Sequence, residues 1–216
     1  GILHVGGVSL TTYNIQVDDD YNFGSANIDV SGIVENTTNT NYSSSTELSF
    51  DKKYYWRVRA FDSADYSVWS NINVINISST TSLSMIVEFI NFGNMTVGLA
   101  NNTLSNTPQP FEYQNDGNVK LNISLYADSL YVKRTNPTND YVFMVSEADE
   151  GVTYGIGSLT NWNSVAASGS PLKAVDSLKY LNNIDEAALE INITIPPDED
   201  PGSKTSIMTF IASVAE

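Results

Sequence analysis

The sequence predicts an all-β chain, two β-sandwiches with one short crossover helix, and three observations carry that prediction. Apolar and polar residues alternate with period two along most of the chain, as half-buried strands with one wet face do. Turn chemistry separates the alternating runs: Asn115-Asp116-Gly117, Pro137, Gly151, Pro196-Pro197 and Asp200-Pro201-Gly202. A Ser/Thr run over residues 78–82 parts a shorter set of strand patterns from a longer one.

Taken in order, Tyr13, Ile15 and Val17 alternate with Asn14, Gln16 and Asp18, so residues 12–17 form a strand, and residues 26–34 form the next. Tyr54, Trp56, Val58 and Ala60 share one face of a third strand whose other face carries Tyr55, Arg57 and Arg59. Residues 68–70 approach a fourth strand, residues 72–77. In the longer unit Val119, Leu121, Ile123, Leu125 and Ala127 alternate with polar neighbours, as do Leu189, Ile191, Ile193 and Ile195. The apolar run over residues 206–214 makes the last strand. The helix is expected at 170–183: Ser170 can cap it and Pro171 suits its first position. Leu172, Val175, Leu178 and Leu181 then fall near one face, and Asn182-Asn183 ends it.

Composition removes whole classes of function. The 216 residues include no Cys and one His, so there is no disulfide framework, thiolate zinc site, cysteine nucleophile or multi-histidine metal site. The net charge of −15 argues against nucleic acid, whose phosphates would be repelled. No apolar run approaches the ~20 residues that a spanning helix needs. Residues 1–7 carry no basic residue and no signal-peptide pattern, and without an initiator Met the chain reads as processed or trimmed. Only 16% of residues are charged, so much of the polar surface comes from Asn, Ser and Thr.

The run from Leu48 through Tyr54-Tyr55-Trp56-Arg57-Val58-Arg59-Ala60, with Val68-Trp69-Ser70 after it, resembles a fibronectin type III domain. Leu48, Tyr54, Trp56 and Val58 are its expected core and corner residues. The resemblance implies that the Tyr54 hydroxyl satisfies backbone groups at the strand corner. It makes residues 12–17 strand C and residues 26–34 strand C′. Two strands, A and B, should precede strand C, yet only about ten residues are available, without the inward Trp of strand B. The front is therefore trimmed, or filled by a strand from a neighbour, or the domain is divergent and completes itself. On the second reading Ile2, Leu3 and Val5, followed by Gly6-Gly7, form a donor arm. The expected organisation is an arm at 1–10, a fibronectin-like domain at 11–78 and a second sandwich at 79–216.

The second sandwich carries Phe92-Gly93, Thr96-Val97-Gly98, Asn115-Asp116-Gly117 and a terminal strand rich in Ile and Phe. It resembles the TasA/camelysin-type sandwiches of biofilm fibres and archaeal bundling pili. That resemblance implies an exported, jelly-roll-like subunit that polymerises by giving a strand to the next copy. Some members of that family were named metalloproteases, but His-Glu-x-x-His is absent here and His4 is the one histidine.

Chemistry finds little support. No Gly-x-Ser-x-Gly elbow accompanies His4, so no catalytic triad assembles. Glu147, Asp149 and Glu150 read as a solvated turn rather than a glycosidase pair. Asp18-Asp19-Asp20 and Asp198-Glu199-Asp200 are hard oxygen clusters of the kind calcium accepts, but without EF-hand spacing, and no cofactor or metal is expected. Tyr126, Tyr131, Trp162 and Tyr180 suit a core or a subunit contact better than a sugar platform. Asn36, Asn41, Asn76, Asn94, Asn101, Asn122 and Asn192 begin Asn-x-Ser/Thr sequences, the acceptor pattern for N-glycosylation. Asn122 and Asn192 are expected on wet strand faces.

The expected function is that of a non-enzymatic subunit of an extracellular filament, pilus or cell-surface layer, archaeal in kind. It would assemble with copies of itself by donor-strand complementation, without nucleic acid and without a membrane-spanning segment. The alternative is an adhesin or a module of a larger secreted surface protein that binds carbohydrate or another partner.

Overall fold

A computed structural model describes residues 12–36 and 39–215. The chain divides into two units, residues 1–79 and 80–216. Every regular element among the described residues is a strand.

The first unit is one antiparallel sheet of β1 (Thr12–Asp18), β2 (Ile28–Val34), β3 (Lys52–Phe61) and β4 (Asn73–Ile77), in the order β2-β1-β3-β4. The register sets Ile15 between Val30 and Val58, and Val17 between Ile28 and Trp56. Those residues consequently share one apolar face, as the period-two pattern requires. Val17, Ile28 and Tyr54 are its buried centre, with Ile15, Val30, Leu48, Trp56 and Ile77 packed around them. The Tyr54 hydroxyl accepts the Ser49 N–H at 2.9 Å, the corner bond that the resemblance implied.

The second unit is a sandwich. One sheet runs β10 (Asn163–Ser164), β9 (Tyr141–Glu147), β12 (Glu186–Thr194), β7 (Phe111–Asn115), β5 (Leu83–Val87), with β6 (Ala100–Asn102) also paired to β12. The other has three strands, β11 (Leu172–Leu178), β8 (Leu121–Ala127) and β13 (Met208–Val214). Leu121, Ile123 and Leu125 of β8 and Val175 and Leu178 of β11 meet Tyr113, Phe143, Leu189 and Ile191 in the core, all essentially without solvent contact. The turn after β7 is held by Asn115, whose Oδ1 accepts the Gly117 N–H at 3.0 Å. Gly117 passes so close to the chain that a Cβ would lie 2.3 Å from the Thr80 carbonyl oxygen, so no larger residue fits.

The helix expected over residues 170–183 is a strand, β11, paired with β8. Its register shifts between Lys173 and Val175 and again between Val175 and Leu178. Each bulge advances the inward position by one extra residue. The spacing of three between Val175 and Leu178 arises from those bulges, not from a helical turn. Ser177, at φ 52°, carries one of the kinks.

Candidate interaction surfaces

The apolar face of the first unit is incompletely covered. Ile15, Val30, Ile33, Trp56 and Val58 are half-buried, and Ile75 is 42% exposed. Among the described residues the first unit has no second sheet of its own. Ile2, Leu3, Val5 and His4 fall outside the described residues.

The opposite face of the same sheet carries a stack that sequence reasoning missed. The Arg57 guanidinium lies 4.1 Å from the Phe23 ring and 4.5 Å from Trp69, and Arg59 lies 4.5 Å from Trp69 and 3.8 Å from Tyr66. Trp69 is therefore sandwiched between two cations, each capped by a second ring. Ser67 and Ser70 put the tryptophan there. The Ser67 N–H donates to the Ala60 carbonyl at 2.9 Å and its hydroxyl accepts the Ala60 N–H at 3.0 Å. Ser70 repeats both bonds on Val58, at 2.8 and 3.1 Å. Two hydroxyls thus stand in for backbone acceptors and run residues 67–70 alongside β3. The legible signal was Arg57-x-Arg59 followed by Ser67-x-Trp69-Ser70. Gln16 Oε1 accepts from Arg57 Nη2 at 2.7 Å and fixes the inner guanidinium.

The acidic loops bond mostly to the protein's own groups, while the buried Asp18 keeps its Oδ2 without a hydrogen-bond partner. Asp198 takes Arg134 at 2.7 Å, Asp200 takes Lys133 at 3.1 Å, and Glu199 takes Lys204 at 2.6 Å. Glu199 also accepts the N–H groups of Val132 and Lys133, at 3.1 and 3.2 Å. Its partners, the lysine first, hold its carboxyl below the usual carboxylate range. Asp18 accepts the Asp20 N–H, and Asp19 pairs with Lys52 at 3.2 Å. No three His, Asp or Glu side chains converge as a metal site among the described residues.

Asp149, in the expected acidic turn, accepts the N–H groups of Asp185 and Glu186 at 2.8 and 2.9 Å. Burial, reinforced by Asp149, Asp185 and Glu112, raises the Glu186 carboxyl above its ordinary value. In the central strand Glu190, 7% exposed, accepts the hydroxyls of Thr103 and Ser146. Asp149 and Glu190 thus tie loops and strands together.

The four aromatics considered as a platform lie apart in the sequence of elements. Tyr131 is buried, Tyr126 sits on β8, and Trp162 and Tyr180 sit in separate connections. Of the Asn-x-Ser/Thr positions, Asn36, Asn41, Asn76 and Asn94 are exposed. Asn101, Asn122 and Asn192 are half-buried rather than on open faces. Asn122 Oδ1 accepts the Ser177 N–H of the bulged β11 at 3.1 Å, and Asn192 Oδ1 is itself enclosed. Thr103, third residue of the Asn101 sequence, is fully buried.

Residues 4–79 match the family model described as the Rha78A-like, N-terminal immunoglobulin domain. The first unit is immunoglobulin-like. Domains of that kind are typically non-catalytic and fit secreted or surface proteins. The second unit lies outside the match. No curated protein and no solved structure matches the chain. No helix among the described residues is long and apolar enough to cross a membrane.

Proposed function

We propose that this chain is a structural subunit of an extracellular filament, pilus or surface layer that joins copies of itself by strand donation. The observation that carries the reading is the half-buried apolar face around Ile15, Trp56 and Val58, in a unit with a single sheet among the described residues. An added strand would bury each half-covered aliphatic side chain, worth roughly 1.5–3 kcal/mol for a full burial. It would also satisfy an exposed edge, which makes the joint directional. On this reading the donor is the segment with Ile2, Leu3 and Val5, followed in sequence by Gly6-Gly7. The reading also rests on the sequence-level resemblance of residues 79–216 to fibre-forming sandwiches, which lies outside the family match, and Asn41, Asn76 and Asn94 are exposed acceptor positions for glycans. Electron microscopy of the full chain and of a chain lacking residues 1–7 tests this. Filaments from the first and folded, unpolymerised protein from the second are expected. Normal filaments from the shortened chain refute it.

A second reading is favoured by the family match, since its description is of an N-terminal domain. On that reading the chain is an adhesive or carbohydrate-binding module of a longer surface protein. Binding on a glycan array, without self-assembly, would support it.

A further inference from the structure

The loop that joins β1 to β2 is built on hard oxygen donors. Asp18-Asp19-Asp20 taken alone lacks the spacing of a calcium loop, but the residues after it supply one. Counted from Asp18, Asp20 and Asn22 stand at positions 3 and 5 and Asp29 at position 12, the places where a twelve-residue calcium loop sets side-chain oxygens. Position 6 of such a loop is Gly, because the chain turns sharply there. Here it is Phe23, which makes the left-handed turn at φ 53° without being Gly. Its ring is buried, 4.1 Å from the Arg57 guanidinium, so packing holds a conformation that the backbone disfavours.

The side chains are sorted as such a loop requires. Asp18 Oδ1 accepts the Asp20 N–H at 3.2 Å, and Asp20 Oδ1 accepts the Asn22 N–H at 3.1 Å. Asn27 Oδ1 closes the far end on the Asp19 N–H at 3.0 Å. Asp19, at a position that supplies no ligand, pairs with Lys52 instead.

The observation that points to an ion is Asp18 itself. The residue is 0% exposed, and its Oδ2 is enclosed with no hydrogen-bond partner. A carboxylate oxygen shut away from water with nothing to bond is costly, and a cation against it removes the cost. The other oxygen of the same carboxyl bonds the Asp20 N–H, which places the orphaned one at the start of the loop.

We propose that residues 18–29 bind one calcium ion. The carboxylates of Asp18 and Asp20, the amide oxygen of Asn22 and the carbonyl of Gly24, at position 7, supply the donors, and water completes the shell. Two carboxylates balance the charge of the ion. Asp29 is held by Gln16 Nε2 at 2.9 Å, so three carboxylates do not meet there. A site with so few charges binds calcium in the range of about 10⁻⁴–10⁻³ M, that of extracellular modules. A pliable ring of carboxylate, amide and carbonyl oxygens suits calcium better than magnesium, which demands a strict octahedron and keeps its waters. The site lies wholly in the first unit and does not depend on strand donation.

Calorimetric titration of the chelator-treated full chain with calcium chloride tests the proposal. One ion per chain is expected, with weaker uptake of magnesium. Asp20 is exposed, so Asp20→Asn keeps the fold and is expected to weaken binding at least about tenfold. Asp19→Asn removes the same charge one residue away and is expected to leave binding unchanged. Amide exchange of the unsubstituted chain gives a second readout: residues 18–29 are expected to exchange more slowly with calcium than without. No uptake at concentrations about tenfold above the expected range, binding indifferent to Asp20→Asn, or equal loss with Asp19→Asn overturns the proposal. The last result would assign the binding to the general acidity of the chain.

Discussion

The Tyr54 hydroxyl accepts the Ser49 backbone N–H at 2.9 Å, and by that bond the loop before β3 is fastened to the buried centre of the first unit. Tyr54 is 2% exposed, so its ring fills the core while its oxygen satisfies a donor that no strand pairs. Tyr54→Phe keeps the ring and strands the N–H. A loss of about 1–3 kcal/mol is expected in denaturant unfolding of the first unit, with the second unit's transition unmoved.

The stack around Trp69 is expected to carry the outer face of the same sheet. Trp69→Ala removes two cation–ring contacts and should cost about 1–3 kcal/mol. Arg57→Lys keeps the charge but loses the planar group that lies against Phe23 and Trp69 and bonds Gln16, and about 1 kcal/mol is expected. Paired denaturation curves in which the lysine variant matched wild type would show that charge alone matters.

Glu199 binds two N–H groups and Lys204 in its ionised form, so its carboxyl is held low. A depressed carboxyl stabilises the fold above the ordinary carboxylate range, and that contribution is lost as pH falls through the lowered value. Glu199→Gln should melt earlier than wild type at pH 7, with the gap closing in acid. Thermal melts across the acid range read it directly.

Glu186 has the opposite sign. Burial and three acidic neighbours raise its carboxyl, so its contribution is fully present below the ordinary value and lost as pH rises through the raised one. At pH 7 the charge is a liability. Glu186→Gln is expected to raise Tm by roughly 1–3 °C at neutral pH and to change nothing below the ordinary carboxylate range.

Most strands were legible because one face of each is buried and the other wet, as β8 shows with buried and half-buried residues in strict alternation. The Tyr54 corner was legible because its chemistry is local, a hydroxyl and an N–H five residues apart. β11 was not: its bulges turn a period of two into a spacing of three, and Ser170-Pro171 before it mimics a helix start. The Trp69 stack depends on serine hydroxyls replacing backbone acceptors across a loop, which no periodicity records.

Sedimentation velocity of the full chain over a wide concentration range tests self-association most directly. Species much larger than the 23.6 kDa chain, growing with concentration, are expected. A single 23.6 kDa species at every concentration would contradict it.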